Sequence, residues 1–153
     1  MTAWGSRLSR PFLNLLQFRG FGMFYVKLYL CTLVAFFAID MIWLGVVARG
    51  FYQRQLEGML RETPLWSAAI VFYLLFILGL LVFVIVPGLQ AGSARKVLIL
   101  GAFFGLITYA TYDLTNLATL KNWPLPMTIV DLIWGSLLGM SVSYLGFVAG
   151  KYL

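Results

Sequence analysis

The sequence contains no histidine and a single cysteine, Cys31, among its 153 residues. An intramolecular disulfide bond is therefore impossible, and zinc sites built from several thiolates or imidazoles are excluded in practice. Charged residues are also scarce, at 10%, whereas hydrophobic residues make up 62% of the chain. A soluble domain has about 25% charged residues. Because one small globule cannot bury so large an apolar excess, we expect lipid to surround much of the chain.

The few charged residues are mostly basic. Eleven lysines and arginines against five acidic residues give a formal net charge of +6. In a soluble protein this excess could indicate a nucleic-acid partner. Here the basic residues cluster at the ends of apolar segments, so we expect membrane lipid with anionic headgroups as the partner and no nucleic acid.

Four apolar segments are long enough to cross a bilayer, which takes about 20 helical residues. They cover residues 24–48, 65–87, 97–119 and 127–150. We therefore predict an all-α, polytopic membrane protein with a four-helix transmembrane domain over residues 23–153. The length allows only this one domain.

Two other segments are predicted to lie on the membrane surface. Residues 1–22 mix arginines with Phe and Leu, which is typical of a basic amphipathic segment. A cleaved signal peptide fits less well, because the arginines interrupt its apolar region. The first connector, ARGFYQRQLEGMLRETP, is predicted to form a short interfacial helix. Its apolar face would point to lipid and carries Phe51, Tyr52, Leu56 and Leu60.

Basic residues flank the two sides of the predicted spans unequally. One side has seven, namely Arg7, Arg10, Arg19, Lys27, Arg95, Lys96 and Lys151. The other side has four, namely Arg49, Arg54, Arg61 and Lys121. The positive-inside rule then predicts that both termini lie in the cytoplasm.

Three of the five acidic residues, Asp40, Asp113 and Asp131, lie inside predicted spans. A carboxylate at the bilayer centre costs about 2.5–3.5 kcal/mol even on the lower insertion scale. At about 1.5 Å per residue, the three lie about 13, 12 and 8 Å from span ends on the same side. We therefore expect them to face one pocket in the outer half of the membrane.

The third span has one polar and one apolar face. At about 100° per residue, its polar side carries Thr108, Tyr109, Tyr112, Asp113, Thr115, Asn116 and Thr119. Gly101 and Gly105 lie on the same side, and the last span repeats this GxxxG spacing at Gly135 and Gly139. Such pairs let helix backbones approach closely, so we expect this side to face the bundle interior.

A short internal similarity links the first and last spans. IDMIWLG at 39–45 resembles VDLIWGS at 130–136, and each has a Trp three residues after its Asp. This spacing predicts that Trp43 and Trp134 shield, or donate a hydrogen bond to, the aspartate on their own helix. The spans run in opposite directions, which fits an inverted repeat, although a chance match fits seven residues equally well.

The sequence resembles an uncharacterised family of small bacterial membrane proteins. The resemblance is carried by the string GLITYATYDLTNLATLKNWP, with DLIWG after it and FYLLFILGL and IDMIWLG before it. The family is known only as a domain of unknown function. The resemblance covers nearly all of residues 23–150 and implies four helices in a bacterial inner membrane. It supplies no activity, and residues 1–22 lie outside it.

Three functions fit these observations. The first is a proton- or cation-coupled transport site formed by Asp40, Asp113 and Asp131 with Tyr109, Tyr112, Thr115 and Asn116. Close carboxylates cannot all be ionised cheaply, so one would hold a proton that a cation could displace. Because four helices are few for a transport path, this function would need a homodimer.

The second function is a structural or accessory subunit of a membrane or lipid-modifying complex, with a membrane-protein partner. Its aspartates would be hydrogen-bonded and hold the bundle in register. The third is a lipid-modifying membrane enzyme whose three aspartates hold Mg²⁺ or Ca²⁺. The chain has no DDxxD-like pair, no histidine and no obvious nucleophile. We therefore favour a role other than catalysis and expect no cofactor.

Overall fold

The computed structural model describes the backbone from Ser9 to Leu153 and the side chains from Gly22 to Leu153. This part of the chain consists of helices and turns, and four of its helical stretches could cross a membrane. The predicted all-α fold with four transmembrane helices is confirmed. The prediction of an amphipathic surface segment rests on side chains outside the described residues.

Six α-helices make up the described chain. They are α1 (Ser9–Ile42), α2 (Arg49–Gln55), α3 (Trp66–Leu80), α4 (Val86–Gln90), α5 (Ala94–Thr119) and α6 (Leu125–Gly150). Two π-helical turns, Trp43–Val47 and Leu81–Ile85, continue α1 and join α3 to α4. The four membrane-length stretches are Gly22–Val47, Trp66–Gln90, Ala94–Thr119 and Leu125–Gly150, each within three residues of its predicted bounds.

The turn Leu81–Ile85 has a local cause, because Pro87 lies two residues after it, at the second position of α4. Proline lacks a backbone N–H, and its ring clashes with the carbonyl four residues earlier, here that of Phe83. A single π-helical turn, with its wider hydrogen-bond spacing, relieves the clash without ending the helix. The second span therefore continues through α4 to Gln90.

Helix α6 is the central element of the bundle. It packs along α5 and α1, and it also contacts the turn Leu81–Ile85. Helix α3 contacts α1, whereas the second span reaches α5 mainly through Leu81–Ile85 and α4. The buried apolar core fills the half of the bundle near the C-terminus and includes Leu28, Ile77, Leu80, Ile85, Val97, Val142 and Phe147.

Large apolar side chains cover the outside of the spans. Val34, Leu75, Phe83 and Ile133 are all more than half exposed. Soluble monomers rarely expose continuous apolar surface of this extent, whereas a membrane span is expected to.

Four glycines bring α5 and α6 into backbone contact. A Cβ atom added at Gly105 would lie 1.9 Å from the carbonyl oxygen of Gly135. One added at Gly139 would lie 2.3 Å from the carbonyl oxygen of Gly101. Because the obstructing atoms belong to the backbone, they cannot rotate away, and only glycine fits at this distance.

We expect Gly105→Ala to destabilise the bundle by about 1–3 kcal/mol, the usual cost of overpacking a tight core. Thermal unfolding in detergent, followed by loss of helical circular dichroism, would measure the effect. Gly22→Ala is the matched control, because a Cβ at Gly22 meets no atom of the described residues within 4 Å. Equal stability of the two variants would contradict the close contact between α5 and α6.

Candidate functional site

The three intramembrane carboxylates lie at one end of the bundle, on three different helices. Asp40, Asp113 and Asp131 are 3%, 0% and 5% exposed. Asp40 precedes the end of its span at Val47 by seven residues, Asp113 precedes Thr119 by six, and Asp131 follows Leu125 by six. At about 1.5 Å per residue, all three are about 9–11 Å from that end.

A cavity of about 630 Å³ lies at this level, lined by five α-helices and the turn Trp43–Val47. Two carboxylates, Asp40 and Asp131, form part of its wall. Six aromatic side chains form most of the remainder, namely Tyr52, Phe72, Tyr73, Tyr109, Tyr112 and Trp134. Leu44, Ala69 and Thr108 complete the wall, so its chemistry is aromatic and acidic.

Tyr52 brings the short helix α2 into this site. The buried Ala48 lies at the joint between the first span and α2. The Tyr52 hydroxyl donates a hydrogen bond to Oδ1 of Asp131 and accepts one from Nε1 of Trp43 at 3.2 Å. Burial, together with the adjacent Asp131, raises the pKa of Tyr52, so the phenol keeps the proton that it donates.

The prediction that Tyr52 faces lipid is therefore wrong. Its side chain is partly buried and lines the cavity. The amphipathic pattern of the connector located the apolar side of α2 without distinguishing lipid from the bundle interior, because both favour aromatic residues.

The two tryptophans of the internal similarity lie against each other. The rings of Trp43 and Trp134 stack with centroids 4.2 Å apart and planes at 6°. The Trp134 indole lies beside the carboxylate of Asp40, and Trp43 reaches Asp131 through Tyr52. Trp43 is thus linked to the aspartate of the opposite helix, whereas Nε1 of Trp134 has no hydrogen-bond partner among the described residues. The prediction that each indole shields the aspartate of its own helix stays a prediction.

Trp43 and Leu44 belong to the π-helical turn Trp43–Val47. Such turns inside α-helices are often found at functional sites. This one presents two residues to the candidate site, the stacking partner of Trp134 and a side chain of the cavity wall.

Asp113 has no hydrogen-bond partner among the described residues, at either carboxylate oxygen. It is close enough to Asp131 for the two carboxylates to interact electrostatically. It does not line the cavity and is fully buried. A buried carboxylate left without partners costs several kcal/mol if ionised, so its charge requires compensation.

The other predicted polar residues of α5 divide into two groups. Tyr109 and Tyr112 line the cavity, together with Thr108. Thr115 is exposed, and its hydroxyl donates to the backbone carbonyl oxygens of Thr111 and Tyr112. Asn116 is half-buried and lies outside the cavity wall. A helical threonine can satisfy its own hydroxyl in this way, so it needs no polar partner in the bundle interior.

Tyr73 and Phe72 on α3 were not identified from the sequence as site residues. A usable signal existed for Tyr73, which lies seven residues inside the span that begins at Trp66. Tyrosines of transmembrane helices are enriched near the interfaces, so one deeper in the span indicates a polar surrounding for its hydroxyl. Phe72 gave no such signal, because its span is apolar throughout.

Asp40, Asp113 and Asp131 lie at the same depth but do not form one metal-binding site. Among residues 22–153, no three Asp, Glu, Cys or His side chains are close enough together to hold one metal ion. The site that the enzyme hypothesis requires, with three aspartates on one Mg²⁺ or Ca²⁺, is therefore not formed by this geometry.

Four membrane-length apolar helices, with carboxylates buried between them, define a multi-pass α-helical membrane protein. A family model described as "Predicted membrane protein (DUF2177)" matches residues 25–148, and the chain belongs to this family. The resemblance found in the sequence is thereby confirmed. No match to the chain was found among curated proteins or among solved structures.

We expect Tyr52→Phe to destabilise the protein by about 1–3 kcal/mol, because it leaves the buried Asp131 without its donor. Thermal unfolding in detergent would measure the change. Tyr152→Phe, at an exposed position near the C-terminus, is the control and should be neutral. A Tyr52→Phe variant as stable as this control would show that the hydrogen bond to Asp131 contributes nothing.

Proposed function

We propose that the protein carries a proton-binding carboxylate site in its membrane domain, at which a cation can replace the proton. The observation that supports this proposal is the charge balance of the site. Three carboxylates are buried at one depth, whereas every described lysine and arginine is exposed. None of the described basic side chains is therefore buried with the carboxylates to neutralise them.

Uncompensated carboxylates are expensive in this environment. The low dielectric strengthens repulsion between Asp113 and Asp131, and burial adds a desolvation cost for each charge. Since no basic side chain of residues 22–153 is buried beside the carboxylates, a bound proton or a bound cation would remove these costs. A site that accepts either one can exchange them, which is the elementary step of proton-coupled binding or transport.

The cavity indicates that the cation is larger than a bare ion. A water molecule occupies about 30 Å³ in the liquid, and the cavity volume is about 630 Å³. Its wall contains only two carboxylates, on α1 and α6. Small inorganic cations prefer a closed set of oxygen ligands, which this mainly aromatic wall does not offer.

Infrared spectroscopy of the reconstituted protein tests the proton site. We expect a protonated carboxyl C=O band at neutral pH that shrinks when the pH is raised. Asp113→Asn should remove part of this band, because Asp113 has no hydrogen-bond partner among the described residues and is therefore costly to ionise. Glu57→Gln, at an exposed position outside the spans, should leave it unchanged.

Two outcomes would contradict the proposal. If no protonated band exists at any pH, the carboxylates are ionised and the charge argument fails. If the band persists in Asp113→Asn and Asp131→Asn alike, it does not arise from this site.

A structural role is the second candidate, and one observation favours it. The hydrogen bonds from Trp43 to Tyr52 and from Tyr52 to Asp131 join the first span, α2 and α6. In that case the carboxyl band would be present but would not respond to pH. The infrared experiment therefore separates the two candidates.

For the location, we propose a bacterial inner membrane with both termini in the cytoplasm, supported by the excess of basic residues on that side. The carboxylate cavity would then lie in the outer half of the membrane. Alkaline phosphatase fused after Thr63 should be active, and the same enzyme fused after Leu153 should be inactive. The reverse pattern of activity would show that the termini lie on the other side of the membrane.

A further inference from the structure

We propose that the cavity binds a hydrophobic organic cation, such as a quaternary ammonium or phosphonium compound, which enters from the membrane between α3 and α5. This inference rests on the proposed proton site and names the class of ligand that competes with the proton there.

The wall of the cavity matches this ligand class. Six of its residues are aromatic, and their faces attract a cation through the ring quadrupole. Asp40 and Asp131 supply negative charge, and no lining residue is a lysine or arginine. Organic cations without N–H groups are recognised by aromatic cages of this kind, because they need charge and contact area more than hydrogen bonds.

A second observation within the site indicates a positive ligand. The fully buried Asp113 interacts with Asp131 behind the cavity wall, and neither of its oxygens has a hydrogen-bond partner among the described residues. A monovalent cation held at Asp131 would neutralise one carboxylate charge and so weaken the repulsion between Asp113 and Asp131. An anionic ligand, such as a fatty acid, would add a further negative charge to the same place.

The route follows from how α3 and α5 diverge. Deeper in the bundle, the second span meets α5 through the rings of Phe76 and Phe104, whose centroids are 5.7 Å apart. Nearer the site, Phe72 and Tyr112 line the cavity and are 41% and 56% exposed. Both lie within membrane spans, so their exposed surfaces face lipid, and the proposed entrance lies between them. A hydrophobic cation dissolved in the bilayer could enter there.

Tetraphenylphosphonium is the probe for this proposal, and tetraphenylborate is its control. The two ions have nearly the same size and shape and differ in the sign of their charge. We expect the purified protein to bind the phosphonium saturably, detected by calorimetry and by quenching of tryptophan fluorescence. Binding should release protons into a weakly buffered solution. The borate should show no saturable binding.

Two pairs of variants locate the site. Asp131→Asn keeps an acceptor for Tyr52 but removes the charge, so phosphonium affinity should fall about tenfold or more. Glu57→Gln should leave it unchanged. Ala69→Phe fills the cavity from α3 and should abolish binding. Ala68→Phe, next to it on the exposed outer surface, should have no effect.

The outcomes separate this inference from the proton site. Equal binding of phosphonium and borate, absence of saturable phosphonium binding, or full affinity in a folded Ala69→Phe protein would each overturn the ligand assignment. If the pH-dependent carboxyl band persists in any of these cases, the proton site stands without this ligand. If the band is also missing, both proposals fail.

Discussion

The backbone contact between α5 and α6 determines where the carboxylates lie. Gly105 and Gly135 meet without side chains between them, so the two helices cannot separate or rotate freely. Asp113 lies about two turns beyond Gly105 on α5, and Asp131 lies one turn before Gly135 on α6. Because the helices are antiparallel, both carboxylates are on the same side of the glycine contact. Neither carboxylate can turn toward the lipid unless the contact between the glycines is broken.

This arrangement costs stability unless something else supplies positive charge. Apolar residues of similar volume would fill a membrane bundle more cheaply than carboxylates without a basic partner. Asp131 is partly compensated by Tyr52, but Asp113 accepts no hydrogen bond from the described residues. Apolar packing therefore does not account for these acids, and their number and common depth are the basis of the proposed exchange of a proton for a cation.

The four spans and the common depth of the three aspartates could be predicted from the sequence, because membrane helices have simple geometry. A fixed rise per residue gives depth directly, which placed three acids on different helices at one level, and hydropathy gave the spans. Contacts outside the regular helices were less predictable. Tyr52 reaches Asp131 only because α2 folds back over the bundle. Thr115 shares the polar face of α5, yet its hydroxyl bonds to its own helix. Helical periodicity alone does not contain either fact.

The stacked Trp43 and Trp134 make the two sides of the cavity different. Helices α1 and α6 pack against each other, and the stacked rings of Trp43 and Trp134 lie between their aspartates. This stack is linked to α2 through Tyr52, and Trp134 lines the side of the cavity formed by the first and last spans. On the other side, α3 and α5 contribute aromatic residues that line the cavity without joining across it. The two similar segments thus contribute to one side of the cavity, and the proposed entrance lies on the other side, between the two middle spans.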